Sequence, residues 1–589
     1  MSRHAATWPV VSILLLLTLA SAPSHAEVIT VGPTSSGCEQ SSLALAFLRA
    51  AATTESDTIL FAVDQTWTGG GALLLTNESP VVLQGINSCS DFTPRLRSIT
   101  TTVGDLFEFD ATQATFRNMR LVGDTGGRLI TATNSSLVTL EDTLVVGGRA
   151  NDGGNVHLSG GASLVALAGT QIFSGEATFN GGGVYCTGTG VVGLGAQTKL
   201  HGNDAGFNGG GVYADGCSVN VLAGGPAPAG INHYGIVENR AEFNGGGIYA
   251  RGGSSVFLGG NSLTPATLRR NDAVGFGGGM YLLGSGTSAD VFNSEIVSNR
   301  GLSDGGGVMV TSQATLVMDR TTATCDRGVR CSLMEGNSCG GAGAPGPVEG
   351  GALLVTNGGQ ATVRQTYLTG NSAEDAGNVA VVSGTDSFLL VENSVLYDNH
   401  AAGVHVLARD GGHARLAFVS AWGSSAPSSG MAFAHADVNG RVDIYSSVVI
   451  EGQGMPMGGG PGSDPIFLPA GSGGFQQADC ALFHENASSH SGVAVETDPS
   501  AVWDLPSSGD PHLRETAPAV DFCDTVVYVP TDDDIDGDAR GFDVTSVPDQ
   551  LGPYDLGADE RVSAPPEPEE IFSDDFESGN VSAWSSSSP

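Results

Sequence analysis

Short apolar runs alternate with polar turns through most of this chain. In the segment 236–260, pairs and triplets of β-branched or aromatic residues stand between turns rich in Gly, Asn and Ser. None of these runs is long enough for a helix, and alternation over a few residues is typical of short strands. The pattern therefore predicts an all-β chain.

A glycine phrase recurs at the turns. It reads FNGGGVY at 179–185 and at 207–213, FNGGGIY at 243–249, FGGGMY at 276–281 and DGGGV at 304–308. Such a period indicates a stacked array in which each unit buries its apolar face only against its neighbours. Because glycine permits positive φ and close backbone approach, the triplet is interpreted as a corner.

Together these patterns predict a right-handed parallel β-helix with three strands in each coil of about 20–30 residues. A propeller is the main competing architecture, but its blades need about 40 residues or more. The irregular spacing of the phrase fits loops of different length leaving one corner of the helix.

An asparagine stands six residues before a glycine of the phrase at five places, namely Asn203, Asn239, Asn271, Asn299 and Asn371. Asparagine tolerates left-handed turns, so a surface turn residue in each coil is one interpretation. Identical amides can also hydrogen-bond from layer to layer. We favour this second interpretation, an inward-facing ladder.

The repeats resemble those of chlamydial-type polymorphic outer membrane proteins and of parallel β-helix proteins with a pectin-lyase-like fold, over about 170–410. Residues 38–62 resemble the N-terminal Cys-Ser-Leu-Arg-Glu-Ala domain of secreted bacterial β-helix proteins, although the acidic residue after the Arg is missing. This segment predicts a short amphipathic helix at 43–52 and a first strand at 57–62, which would cap the stack.

Residues 513–522 and 532–560 resemble the closing segment of choice-of-anchor β-helix proteins. That pattern ends in Asp-Ile-Gly-Ala-Tyr-Glu, whereas this chain has DLGADE, with Asp559 in the aromatic position. The resemblance implies that the β-helix ends in this region.

The predicted organisation has five parts. Residues 1–26 read as a Sec signal peptide, because Arg3 precedes an apolar core and small residues lead to Ala26. The apolar core is too short to span a membrane. An N-terminal cap follows at 27–65, β-helix coils at 66–450, an irregular loop with the closing segment at 451–561, and a linker with a disordered acidic tail at 562–589.

The net negative charge of the chain limits which partners it can bind. The net charge is −38, and Lys199 is the only lysine. Such a surface repels nucleic acid and anionic membranes. We therefore expect no nucleic-acid partner. No later apolar stretch is long enough to span a membrane, so no transmembrane segment is expected. The signal peptide predicts a secreted or cell-surface location, and the family resemblance implies a bacterial source.

The chain has nine cysteines, and export would permit disulfides. The candidate pairs are Cys38–Cys89 at the cap, Cys186–Cys217 between adjacent coils, and Cys480–Cys523 in the closing region. Cys325, Cys331 and Cys339 lie close together within one insertion. Three cysteines can form only one disulfide among themselves, so one of them is expected to remain unpaired.

The pectin-lyase-like resemblance implies polysaccharide chemistry, which needs particular side chains. Inverting hydrolases need a pair of carboxylates, one as acid and one as base. The phrases of that family are missing here; His413 stands in GGHAR without the rest, and no family pattern links Asp304, Asp319 and Arg320. No catalytic residue is assigned.

Calcium is the one cofactor that the sequence suggests. Asp532, Asp534, Asp536 and Gly537 match the start of a calcium loop, with Asp543 where a bidentate glutamate usually stands. The alternative is a structural turn within the closing segment.

The leading hypothesis is a non-enzymatic, adhesin-like binding protein for a carbohydrate or cell-surface ligand. The alternative is a polysaccharide lyase or glycoside hydrolase with a non-standard site, and a third is a purely structural surface protein. An enzyme would gather carboxylates with an Arg or His in one groove on a coil face. A binding protein would line its groove with Asn, Ser and aromatic residues.

Overall fold

A computed structural model describes residues 26–561, apart from gaps at 53–54, 70, 77–79, 125, 223–233, 262–263, 321–331, 342–347, 375–378, 402–404, 424–432, 451–465, 468–474, 484–492, 497, 524–532 and 545–551. The predicted tail at 562–589 and nearly all of the predicted signal peptide lie outside the described residues. So do Asp532, Cys325 and Cys331.

The described strands form three sheets that run along the stack of coils. Sheet 1 contains Val28–Val31, Asp57–Phe61, Gln65–Trp67, Val81–Ser88, Asp91–Pro94, Arg97–Thr101, Gln113–Arg117, Met119–Gly123, Leu137–Glu141, Leu144–Val146, Ser163–Ala166, Gln171–Phe173, Val191–Leu194, Lys199–His201, Ser218–Leu222, Gly235–Val237, Ser255–Gly259, Ala266–Arg269, Ser288–Phe292, Ser294–Val297, Thr315–Asp319, Leu333–Glu335, Gln360–Arg364, Tyr367–Thr369, Phe388–Tyr397, His413–Trp422, Arg441–Ile450, Phe475–Phe483 and Val493–Val495.

Sheet 2 contains Leu73–Thr76, Phe107–Asp110, Ile130–Thr133, Val156–Leu158, Val184–Thr187, Val212–Asp215, Ile248–Arg251, Met280–Leu283, Val308–Thr311, Leu353–Thr356, Ala380–Ser383, Val406–Arg409, Ala434–Ala436 and Ile466–Phe467. Sheet 3 contains Arg149–Ala150, Glu176–Ala177, Asp204–Ala205, Arg240–Ala241, Asp272–Ala273, Arg300–Gly301, Ser338–Cys339, Ser372–Ala373 and His400–Ala401. The helices are Leu43–Ala50 and Pro499–Val502, with 3₁₀ turns at Thr34–Ser36 and Pro506–Ser508.

Strands of successive coils pair in parallel, and Val81–Ser88 with Asp91–Pro94 is the antiparallel exception among the named strands. This confirms the predicted all-β parallel β-helix. Parallel pairing also continues past residue 450, since Phe475–Phe483 pairs with Arg441–Ile450 and then with Val493–Val495.

The regular coils have four strands instead of the three that the sequence predicts. The coil that starts at Val191–Leu194 continues through Lys199–His201 and Asp204–Ala205 to Val212–Asp215. The extra strand is the member of sheet 3. It is only two residues long, so it leaves no alternation of apolar and polar residues to detect.

The interior of each coil is apolar, because alternate side chains of every strand point inward. In sheet 2 the inward positions stack Val212, Ile248, Met280 and Val308 on one another, all fully buried. Each layer therefore covers the next, which makes the stack one continuous core.

The predicted N-terminal helix closes one end of this core. It spans Leu43–Ala50, and the Oγ of its N-cap residue Ser42 accepts a hydrogen bond from Leu45 N at 3.4 Å. Phe47, on the buried face, stacks on Phe107 with ring centroids 5.4 Å apart. The apolar end of the first coils is thereby covered.

The glycine triplet forms a corner of the coil, and its first two positions need glycine for different reasons. Its first residue takes the left-handed conformation, with φ of 67° at Gly209 and 64° at Gly245. At the second position, Gly246, a Cβ would lie 2.4 Å from Asp272 O and 2.6 Å from Gly278 O in the next coil. Coils approach each other here at a distance that only glycine allows.

Replacing Gly246 by alanine is therefore expected to lower the free energy of unfolding by about 1–3 kcal/mol or more, because the new methyl group would push two coils apart. Chemical denaturation of the purified variant measures the change. Gly193→Ala is the matched control, since a Cβ there meets its nearest atom at 3.6 Å, an ordinary contact. Equal stability of the two variants would contradict the close approach.

The closing segment packs against the outside of the coil wall. We call its described parts, 498–523, 533–544 and 552–561, the closing clasp. Trp503 of the clasp stacks on Trp422 with ring centroids 4.2 Å apart. A second hydrophobic cluster, distinct from the coil interior, joins clasp residues such as Leu513 and Phe522 to the outward-facing Val448 of sheet 1.

Hydrogen bonds extend this contact across several coils. Arg320 donates to Ile535 O at 2.5 Å, and Asn393 Nδ2 donates to Asp533 O at 2.7 Å. Further along, Ala558 N donates to Ser420 Oγ at 2.9 Å. The clasp thus ties successive coils of the wall to one another. Within the described part of the chain, no helix has the length and apolar character needed to cross a membrane.

Candidate functional site

The five predicted asparagines lie in one fully buried column at the turn between sheet 1 and sheet 3. The Nδ2 of Asn203 donates to Oδ1 of Asn239 at 2.9 Å. In the following coils, Asn239 Nδ2 donates to Asn271 Oδ1, and Asn271 Nδ2 donates to Asn299 Oδ1, each at 3.0 Å. Among the described residues, the asparagine ladder comprises Asn203, Asn239, Asn271, Asn299, Asn337, Asn371 and Asn399, and Asn155, which directly precedes the sheet 2 strand Val156–Leu158, extends it by donating to Asn203 Oδ1 at 3.1 Å.

Each interior amide of the ladder is fully used by the protein itself. Asn271 Nδ2 donates to Ile236 O and to Asn299 Oδ1, while its Oδ1 accepts from the backbone and side-chain nitrogens of Asn239. No capacity remains for a ligand at this position, so the ladder stabilises the fold.

Sequence reasoning missed Asn155, Asn337 and Asn399. Asn337 is followed by an insertion before its glycine, and no glycine stands six residues after Asn399. A better signal for Asn337 and Asn399 is the tripeptide of asparagine, polar residue and small residue, whereas Asn155 is followed by Val-His and lies outside this pattern. It reads Asn-Asp-Ala at 203–205, Asn-Ser-Cys at 337–339 and Asn-His-Ala at 399–401. The last two residues of this tripeptide are the short strand of sheet 3.

The polar residue of each such strand forms an outward-facing charge column. Register stacks Arg149, Glu176, Asp204, Arg240, Asp272 and Arg300 in successive coils. Arg149 pairs with Glu176 at 2.7 Å, and Arg240 lies between Asp204 at 3.8 Å and Asp272 at 3.9 Å. The column therefore carries as many positive as negative charges.

A groove of about 630 Å³ runs beside the first part of this column. Asp105 and Arg128, 3.6 Å apart, contribute to its lining together with the column residues Arg149, Glu176 and Asp204. Burial raises the pKa of Asp204, and Arg240 opposes the shift. We call this feature the corner groove.

Three phenylalanines form an exposed ridge along the same corner. Phe179, Phe207 and Phe243 are 42%, 41% and 50% exposed. The rings of Phe207 and Phe243 stack with centroids 4.9 Å apart, and the ring of Phe179 is tilted against that of Phe207 at 5.5 Å. Thr178 and Gly206, which line the corner groove, directly precede Phe179 and Phe207. The phenylalanine ridge and the corner groove thus form one surface.

Comparison with known proteins was made for the whole chain. No family model and no curated protein matches it.

A second charged cluster lies on sheet 1, around Asp443, whose side chain is fully buried. His413 Nε2 lies 2.8 Å from Asp443 Oδ2, and Arg441 Nε lies 2.8 Å from Oδ1. Burial pushes the pKa of Asp443 upward, but the hydrogen bonds from His413 and Arg441 outweigh it and hold the pKa below its ordinary value. This carboxylate is therefore held in its ionised form.

The other charged residues that the sequence singled out lie apart from this pair. Asp304 accepts a hydrogen bond from Glu349 N at 2.7 Å, and burial raises its pKa. Burial likewise raises the pKa of Asp319, whereas the neighbouring Arg320 points to the closing clasp. The structure does not bring Asp304 and His413 into one site.

The predicted calcium residues lie in the closing clasp. Asp534 Oδ1 accepts the backbone N–H of Asp536 at 2.9 Å and of Asp538 at 2.8 Å, and its Oδ2 accepts that of Glu560 at 2.9 Å. Asp536 Oδ2 lies 2.7 Å from His512 Nε2. With Asp532 outside the described residues, calcium binding by this loop stays a prediction.

Three disulfides join the pairs that the sequence offered as candidates, Cys38–Cys89, Cys186–Cys217 and Cys480–Cys523. Cys339 is a buried free thiol in sheet 3. Burial raises its pKa, which disfavours the reactive thiolate. Disulfides persist in oxidising compartments, so the pairs fit an extracellular setting.

Proposed function

We propose that this chain is a secreted or cell-surface, adhesin-like binding protein of the pectin-lyase-like class, and that its corner groove holds an extended carbohydrate. The observation that carries the proposal is the continuous surface made by the charge column, the corner groove and the phenylalanine ridge. Three disulfides and the acidic composition support an extracellular location.

The charge column offers what a hydroxyl-rich chain needs. Guanidinium groups donate and carboxylates accept, and both kinds of group occur along the column, where ion pairs join them. The six charges of the column balance, but the corner groove is lined by four carboxylates, Glu242 among them, and by two guanidinium groups, so it disfavours a polyanion. Successive coils are about 4.8 Å apart, which is close to the length of one sugar unit in an extended polysaccharide.

The phenylalanine ridge supplies the apolar part of the surface. Sugar rings present C–H groups that pack against aromatic side chains, and exposed aromatic clusters commonly mark binding sites. The three rings repeat with the coils, as the charge column does. A ligand lying along the helix axis would meet the same pair of surfaces in each coil.

The proposal is tested by measuring binding to a panel of neutral and acidic polysaccharides with affinity electrophoresis and calorimetry. We expect a neutral polysaccharide to bind, and Arg149→Ala or Phe207→Ala to weaken it about tenfold, the loss of roughly 1.4 kcal/mol of binding free energy. Both side chains are largely exposed, so the fold should be unaffected.

Arg117→Ala is the matched control. Arg117 pairs with Glu141 at 2.9 Å with similar exposure, but it lies in sheet 1, away from the corner groove. Its Kd should equal that of the unaltered protein. Failure of every polysaccharide to bind, or equal weakening by Arg117→Ala, would refute the proposed groove.

One observation favours the alternative, a polysaccharide lyase or glycoside hydrolase. The Asp443 cluster combines a carboxylate with His413 and Arg441 on a coil face, the combination expected of an enzyme. The same panel should then yield reducing ends or unsaturated products that absorb in the ultraviolet. His413→Gln would abolish that activity if the cluster performs it, whereas Arg149→Ala would not.

A further inference from the structure

The closing clasp contains a cluster of metal-ligating side chains, of which only Asp536 belongs to the predicted calcium motif. His512, Asp536 and Asp559 come from three separate segments, yet their ligand atoms all lie within 4.8 Å of one another. Asp536 and Asp559 are buried, at 7% and 5% exposure, while the His512 side chain is 45% exposed. The cluster is therefore closed on the protein side and open to solvent at one edge.

The imidazole of His512 is oriented as in a metal ligand. Its Nδ1 is held by the carboxylate of Asp510, so Nε2 points toward Asp536, 2.7 Å away. Metal-binding histidines almost always have their second nitrogen fixed by a carboxylate or carbonyl in this manner.

Asp534 fixes the relation between the two ligand carboxylates. Its Oδ1 accepts the N–H of Asp536, and its Oδ2 accepts the N–H of Glu560, the residue after Asp559. One buried side chain therefore fixes the backbone at Asp536 and next to Asp559. This arrangement supplies the rigid outer support that a metal site needs.

The cluster holds more negative than positive charge. His512 hydrogen-bonds to Asp510 and Asp536, one with each nitrogen. Asp559 Oδ2 accepts a hydrogen bond from Leu513 N at 3.1 Å. Asp536 and Asp559 are both buried, and two carboxylates brought together in a buried cluster are unfavourable unless positive charge joins them, which a bound cation would supply.

We propose that His512, Asp536 and Asp559 bind a zinc ion, with solvent at the open edge as the fourth ligand. One imidazole nitrogen and two carboxylate oxygens form a ligand set that suits zinc. Calcium takes six to eight oxygen ligands. The ion would join three segments of the closing clasp and so hold it against the coil wall.

Calorimetric titration of the metal-free full chain, prepared without a histidine tag, tests the site. We expect one zinc ion per chain, bound more tightly than calcium. His512→Gln and Asp559→Asn should each weaken zinc binding by at least about tenfold. Zinc should also raise the unfolding temperature of the unaltered protein and leave that of His512→Gln unchanged.

The control is Asp504→Asn, since Asp504 is an exposed carboxylate of the same segment and lies outside the cluster. It should bind zinc like the unaltered protein. If Asp559→Asn fails to fold, as judged by tryptophan fluorescence, the proposal is tested by His512→Gln alone. The His512 side chain is half-exposed, so its replacement should leave the fold intact. No saturable zinc binding, undiminished binding by His512→Gln, or tighter binding of calcium than of zinc would overturn the assignment.

Discussion

Replacing Asn271 by alanine is expected to lower the free energy of unfolding by about 2–6 kcal/mol, because it leaves buried polar groups without partners. The side chain accepts two hydrogen bonds from Asn239, and it donates to Ile236 O and Asn299 Oδ1. All of these groups are buried, so water cannot replace the lost bonds. Both neighbouring coils should be destabilised, because Asn239 and Asn299 each lose a hydrogen bond.

Chemical denaturation measures the overall loss, and amide hydrogen exchange locates it. The backbone N–H of Asn239 should exchange faster in the variant, because its acceptor is gone. Asn244→Ala is the matched control: this amide bonds to Asn208 at 3.1 Å in the same array, but it is only partly buried. Equal losses from both substitutions would contradict a special contribution of the buried ladder.

The second large effect is expected at Arg540, which holds the closing clasp to the coils. Its side chain is 2% exposed, donates to Asn393 Oδ1 at 2.8 Å, and lies over the ring of Phe418 at 4.3 Å. It also pairs with the fully buried Glu560. Arg540→Leu should lower stability by about 3–5 kcal/mol, since the Glu560 carboxylate would stay buried without its partner.

Tryptophan fluorescence is a direct readout, because Trp503 of the clasp stacks on Trp422 of the coil wall. In Arg540→Leu we expect this signal to change at a lower denaturant concentration than the loss of β circular dichroism. Arg514→Leu removes a half-exposed arginine of the same clasp and should leave the midpoint unchanged. A clasp that unfolds at the same midpoint in both variants would rule out the anchoring role.

The coil architecture was predictable because it repeats. Apolar residues at alternate positions and the glycine phrase mark each layer, and the spacing of Asn203, Asn239 and Asn271 marks the ladder. Strands such as Asp204–Ala205 were missed because two residues carry no periodicity. Asn399 was missed because no glycine stands at the spacing used to find the others.

The sites were less predictable because they depend on contacts between distant segments. The corner groove joins residues of several coils, and the charge column follows from a register that no single segment shows. His512 and Asp559 meet only because the closing clasp folds back on itself. The sequence did mark Asp559, as the residue that departs from the closing pattern it otherwise resembles.

The closing clasp has a consequence for the order in which the chain acquires its structure. Coil contacts join residues about one repeat apart, such as Asn239 and Asn271, whereas the bond from Arg320 to Ile535 spans 215 residues. Long-range contacts form late, because closing a long disordered loop costs more entropy than closing a short one, and coil formation shortens the disordered chain in between. A wall with one strand out of register would place Asn393 and Ser420 away from their partners in the clasp. The clasp can therefore dock only after the coils beneath it have formed with their strands in the correct register.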